Sequence, residues 1–170
     1  EAETCKEQNY NKYLHEFIGK AIGTGGNVFE NVEELVITEE MINGFTNIRH
    51  GIDFGFAVDP FAYIQGAYDR KHNDLYLFNE IYQIKLTNEM AAEKLKPILN
   101  KFDHHMIMGD SAEPKSIVTL RNLGINIYGA KKGPDSVNYG MKWLQGLSHI
   151  YIDRRKCPNT YNVQILIRNL

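Results

Sequence analysis

The feature that most constrains the fold is an ordered change of rhythm: three strand-like runs, then a regular alternation of helical and strand patterns. Gly51–Ala57, Phe61–Tyr68 and Asp74–Tyr82 are short, apolar-rich runs of the kind that form strands. The segment Asp69-Arg70-Lys71-His72-Asn73 between the second and third has the polar turn chemistry of a hairpin. The three runs therefore predict an antiparallel meander. Thr87-Asn88-Glu89 then opens a helical pattern, with Met90, Ala91, Leu95, Ile98 and Leu99 at helical intervals, ending near Phe102.

The alternation continues to the end of the readable pattern. His105–Gly109 predicts a fourth strand, and Pro114 suits the first turn of the next helix. Gly124 ends that helix, Ile125–Tyr128 predicts a strand, Asp135-Ser136 opens a helix to about Leu147, and Ile150–Ile152 predicts a final strand. The order implies an α/β fold, a mixed sheet flanked by helices, with the fourth strand parallel to the first after a helical crossover. Before Arg49 the chain is less regular. Asn11–Lys20 has helical spacing, glycines follow at 19, 23, 25 and 26, and Val36-Ile37 before Thr38-Glu39-Glu40 predicts a short strand into a capped turn. Residues 1–48 thus read as a lead-in packing on a domain that spans 49–170.

Two acidic motifs punctuate this pattern. Gly51-Ile52-Asp53-Phe54-Gly55 holds a carboxylate between two large apolar residues, and Gly109-Asp110-Ser111-Ala112-Glu113-Pro114 places another just beyond an apolar strand. A carboxylate in apolar surroundings is costly unless a cation or hydrogen bonds compensate it. If the two strands are neighbours, Asp53 and Asp110 converge on one rim of the sheet and can bind a hard divalent cation, which suits phosphodiester hydrolysis. The plainer alternatives are a strand aspartate bonded to a nearby amide for Asp53 and a helix cap for Asp110. Glu113 fits a first-turn carboxylate that could also reach the site, Asp59 before Pro60 fits a turn, and Glu80 fits either the same face or an ion pair. His104 and His105 are discounted as ligands.

The formal net charge of −2 argues against a protein that holds nucleic acid by overall charge, and leaves only local basic patches such as Arg70-Lys71, Lys131-Lys132 and Arg154-Arg155-Lys156. No phosphate-binding Gly-x-x-x-x-Gly-Lys-Ser/Thr loop, Gly-x-Ser-x-Gly elbow or zinc signature is present in the sequence. No apolar run approaches a membrane span. Cys5 and Cys157 are far apart and read as free thiols in a reducing, cytosolic setting.

At these motifs the sequence resembles the C-terminal nuclease domain of a tailed-phage terminase large subunit. Tyr13-Leu14-His15-Glu16-Phe17-Ile18-Gly19 resembles the family's junction after its ATPase domain. Gly51–Gly55 with Asp59-Pro60 resembles its first nuclease motif, Asp110-Ser111-Ala112-Glu113-Pro114-Lys115 its second, and Lys132–Ser136 and Cys157-Pro158-Asn159-Thr160 its later pattern. The resemblance implies a ribonuclease-H-like fold and a Mg²⁺- or Mn²⁺-dependent, two-metal DNA endonuclease with little sequence preference. It also implies Asp53 and Asp110 as metal ligands, with Lys131, Lys132, Arg70 and Lys71 as candidate contacts to double-stranded DNA. The implied partners are an ATPase motor domain, a small terminase subunit and a portal protein, in the host cytoplasm. The family's third carboxylate lies on a C-terminal helix. Residues 161–170 contain no Asp, Glu or His, so the expectation is an incomplete site, or a module that docks to DNA or packaging partners without cutting. A related ribonuclease-H-like resolvase is a weaker alternative.

Overall fold

The structure, a computed structural model, describes residues 29–101 and 105–161. The expected helix at 11–20, the glycine-rich stretch after it, His104 and the tail from Asn162 lie outside the described residues. The compact unit that carries the sheet begins at Asn31.

The strands are β1 (Val32–Glu34), β2 (Ile48–Asp53), β3 (Phe61–Asp69), β4 (Asp74–Gln83), β5 (Ile107–Gly109), β6 (Ile127–Gly129) and β7 (His149–Ile152). The helices are α1 (Glu39–Gly44), α2 (Asn88–Leu99), α3 (Pro114–Asn122), α4 (Ser136–Gln145) and α5 (Pro158–Tyr161). Among the described residues, the seven strands form one sheet in the order β1-β7-β4-β3-β2-β5-β6. β2, β3 and β4 are the antiparallel meander. β5 joins β2 in parallel, β6 joins β5, β7 joins β4 and β1 joins β7, all in parallel. Of the seven, β3 alone runs against the rest, so the C-terminal ends of the other six share one rim.

Local chemistry sets most of the boundaries. Thr38 and Thr87 cap α1 and α2, each hydroxyl accepting an amide proton three residues on, from Met41 and Met90, at 3.3 Å. Pro114 opens α3, and Gly124 follows it with φ of +88°, a conformation costly for any other residue. The main discrepancy is at the first strand. The ladder runs over Val32–Glu34 rather than Val36-Ile37, because the amide of the fully buried Ile37 donates instead to the Asp153 carboxylate at 3.0 Å.

Helices α2 and α3 cover one face. Ala91, Ala92 and Leu95 of α2 and Ile117 and Leu120 of α3 pack on Ile52, Tyr63, Ile81, Ile107 and Ile127 of the sheet. The other face receives α4, whose Trp143 lies edge-on to Tyr68 with ring centroids 5.3 Å apart. Under the α2–α3 face His50, 5% exposed, bonds through Nδ1 to the Tyr63 hydroxyl at 2.9 Å and approaches His105 Nδ1 at 3.5 Å. Burial, reinforced by the neighbouring His105, lowers its pKa to about 4. Among the described residues no helix is long and apolar enough to cross a membrane.

The N-terminus of the short α5 is held by the Glu80 side chain. The Glu80 carboxylate on β4 accepts from the Asn159 amide at 2.8 Å, Asn159 Nδ2 at 2.6 Å, the Thr160 amide at 2.8 Å and the Thr160 hydroxyl at 2.7 Å. Negative charge is favoured at a helix N-terminus, where the first amides lack intrahelical partners.

Two outcomes follow from these contacts. In Glu80→Ala, the Asn159 and Thr160 amides should lose hydrogen-exchange protection, and the unfolding free energy should fall by about 2 kcal/mol; amide exchange and urea denaturation measure the two effects. For His50 the unfolded state binds the proton more tightly, so the neutral ring contributes fully above about pH 6.5 and less as pH falls toward 4. Urea midpoints should decline across that window, and His50→Gln should flatten the decline.

Candidate metal centre

The two motif carboxylates meet through backbone pairing. In the β2–β5 ladder, His50 faces Ile107, Gly51 faces Met108 and Ile52 faces Gly109. The ladder continues one step, with the Asp110 amide donating to the Ile52 carbonyl at 3.0 Å. Asp53 and Asp110 therefore leave the sheet side by side, on strands about 4.8 Å apart. Alternation fixes their direction. Ile52 and Ile107 point into the core under α2 and α3, so Gly51, Asp53 and Met108 take the opposite face.

Glycines make this rim tight. A Cβ on Gly109 would sit 2.9 Å from Ile127 Cδ1 and 3.2 Å from the Phe54 ring, so the glycine leaves room for these two side chains on the core face of the sheet. A Cβ on Gly55 would collide with the Asp59 and Pro60 carbonyl oxygens, which fold back over the loop between β2 and β3. Asp59 thus lies in that tight, exposed loop, as its place before proline suggested.

A cleft of about 490 Å³ opens on this face, and Asp53, Asp110, Lys132, Arg49, Arg70 and Trp143 are among its lining residues. Asp110 Oδ1 accepts the Ala112 amide at 2.9 Å and pairs with Lys132 Nζ at 2.8 Å. Burial works against its ionisation, but the amide and the ammonium outweigh that and keep the carboxyl below its usual range. The centre therefore presents two carboxylates as hard oxygen donors, and the surroundings of Asp110 favour its charged form. That donor set fits Mg²⁺ or Mn²⁺, because such ions are held by one or two carboxylates and complete their shells with water or substrate phosphate.

The remaining candidates are dispersed. Glu113 is the residue before α3 and lines a separate cleft of about 450 Å³ with Phe54, Phe56 and Glu89. Glu80 shares the sheet face of Asp53 by register, through Gly51↔Ile64↔Glu80, but its oxygens are committed to α5. Lys71 sits in the β3–β4 turn, where its amide bonds to Asp69 Oδ1 at 2.8 Å, and Lys131 is exposed beside Lys132. Among the described residues, no group of three or more His, Cys, Asp or Glu is arranged to hold a metal ion.

Two residues were not singled out from the sequence. Arg49 lines the cleft because β2 begins at Ile48, and alternation puts 49, 51 and 53 on one face; extending the strand pattern back two residues finds it. Asp153 is a third strand-end carboxylate, just after β7 and 1% exposed. Its oxygens accept the Ile37 and Arg155 amides and the Arg155 guanidinium at 3.0–3.2 Å. Burial opposes its ionisation, but these donors prevail and hold its pKa low. Asp153 ties β7 to the β1–α1 connection, across the meander from the Asp53–Asp110 pair.

Comparison with known proteins agrees with this geometry. The family described as terminase RNase H-like domain matches residues 53–166. The terminase large subunit of Bacillus phage SPP1 is 43% identical over 163 residues, 94% of this chain and 38% of that protein. The PBSX phage terminase large subunit of Bacillus subtilis is 35% identical over 119 residues, 69% of this chain and 27% of that protein. The chain thus spans well under half the length of these relatives. Among solved structures, the large terminase nuclease domain of bacteriophage SPP1 with bound Mn superposes with a TM-score of 0.73 at 37% identity, covering 81% of this chain and 78% of that one. The P22 large terminase nuclease domain shares the fold at a TM-score of 0.60 and 16% identity, covering 84% and 79%. With a mixed seven-stranded sheet, paired strand-end carboxylates and a family match over residues 53–166, this chain belongs to the terminase RNase H-like domain family.

Proposed function

We propose that the chain is a metal-dependent endonuclease domain that hydrolyses phosphodiester bonds of double-stranded viral DNA during genome packaging, with little sequence preference. The observation that carries this reading is the side-by-side exit of Asp53 and Asp110 from β2 and β5 into the cleft on the α4 face of the sheet. The related SPP1 nuclease domain, crystallised with bound Mn, supports a divalent ion as the cofactor. Bound ions, two in the active form, supply a nucleophile from water and neutralise charge on the scissile phosphate.

The chain's own residues divide the remaining work. Asp53 and Asp110 hold the metal. Lys132, Arg49 and Arg70 line the same cleft and hold the DNA backbone through its phosphates, which fixes position without reading bases. Lys71 and Lys131 extend that contact at the surface. In a longer protein the domain works beside an ATPase motor and with a small terminase subunit and a portal protein, in the host cytoplasm.

A second reading has its own support. The described residues contain no three-membered ligand cluster, which favours a catalytically weak or inactive module that docks to DNA or to packaging partners.

A plasmid-nicking assay with Mn²⁺ separates the two. On the endonuclease reading the chain nicks, and Asp53→Asn and Asp110→Asn each lower the rate by roughly 100-fold or more, the scale seen when one preorganised charge-stabilising group is removed. Equal rates in all three proteins would remove both aspartates from the mechanism. DNA binding without nicking, at every Mn²⁺ concentration, would favour the docking module.

A further inference from the structure

The ion pair between Lys132 and Asp110 places a positive charge on a carboxylate that the proposed function assigns to a metal. The loop carrying Lys132 is pinned to β5, since the Ala130 amide donates to the Gly109 carbonyl at 2.8 Å. Two residues on, Lys132 Nζ reaches Asp110 Oδ1 at 2.8 Å. The Ala112 amide already bonds to that same oxygen at 2.9 Å. The carboxylate is 22% exposed and the lysine side chain 50% exposed, so the contact lies at the mouth of the cleft and not in the core. Arg49 and Arg70 line the same cleft.

We infer that Lys132 is a resident counter-cation of Asp110 that yields this carboxylate to a divalent ion and moves onto a DNA phosphate, so that metal and DNA bind cooperatively. The inference rests on the reading of Asp110 as a metal ligand. An ammonium on a flexible four-carbon stem suits this exchange, because it acts as a point charge and can change partner without breaking a bidentate fork. A half-exposed pair is a weak competitor, so a metal can displace it. Released from Asp110, the ammonium faces a cleft whose other cations already favour a polyanion. Phosphate that holds the lysine away from Asp110 favours metal, and metal that displaces the lysine favours phosphate. The two effects are equal by linkage.

The test is Mn²⁺ titration of the whole chain by calorimetry and electron paramagnetic resonance, without DNA and then with a short phosphorothioate duplex. Lys132→Met should bind Mn²⁺ roughly two- to five-fold more tightly than the parent without DNA. The duplex should raise Mn²⁺ affinity by up to about the same two- to five-fold in the parent and by less in Lys132→Met, while Lys132→Arg, which keeps the charge, should stay close to the parent in the absence of DNA. Asp110→Asn should weaken Mn²⁺ binding. If Asp110→Asn weakens binding but Lys132→Met leaves it unchanged or weaker, the exchange is wrong and the metal assignment stands. If Asp110→Asn leaves Mn²⁺ binding unchanged, the metal assignment itself fails and the exchange falls with it.

Discussion

The parallel pairing of β2 with β5 is the contact on which the rest depends. Its ladder aligns Ile52 with Gly109 and extends to the Asp110 amide on the Ile52 carbonyl. Because side chains alternate, this register sends Ile52 and Ile107 to the core and Asp53 to the cleft face in one step. A slip of one residue would bury a carboxylate under α2 and α3 and expose two isoleucines, so the apolar core enforces the geometry of the charged site. Gly109 serves the same register by leaving room for Phe54 and Ile127.

The carboxylates carried by the sheet meet different fates, and hydrogen-bond accounting separates them. Asp153 and Glu80 have their oxygens taken up by backbone amides and side-chain donors, and they fasten β1–α1 and α5 to the sheet. Asp110 spends one oxygen on the Ala112 amide and a half-exposed ammonium. A carboxylate satisfied by fixed amides is part of the scaffold, whereas one balanced by an exposed lysine can exchange partners. The centre therefore sits where the sheet supplies rigid backbone positions and adjustable charge.

Much of the architecture was legible in the residues. The meander, the hairpin at 69–73, the Thr87 cap, Pro114 at the start of α3 and Gly124 after it are all local signals, and the structure carries most of them with small shifts at the ends; the first meander strand differs more, running over Ile48–Asp53 rather than Gly51–Ala57. The parallel approach of β5 to β2 followed from the helical crossover, and with it the meeting of Asp53 and Asp110. The strand at Val32–Glu34 was displaced from Val36-Ile37, because nothing local to Ile37 reveals that its amide will find Asp153, more than a hundred residues away. Arg49 was passed over for a local reason, since Gly51 looked like the beginning of the strand that Ile48 in fact begins.

The sequence by itself determined most of the elements, their order and the two motif carboxylates, because propensity, capping and alternation act within a few residues; that β2 ends at Asp53 was decided by the fold. Tertiary structure decided which strands are neighbours and which charges meet. β7 inserts between β1 and β4, Glu80 becomes the anchor of α5, and Lys132 comes to rest on Asp110. Each joins residues distant along the chain, where closure entropy changes only slowly with separation and leaves little trace in local pattern. Their partners are settled by the burial of one sheet face and by which donors the fold leaves within reach of each carboxylate.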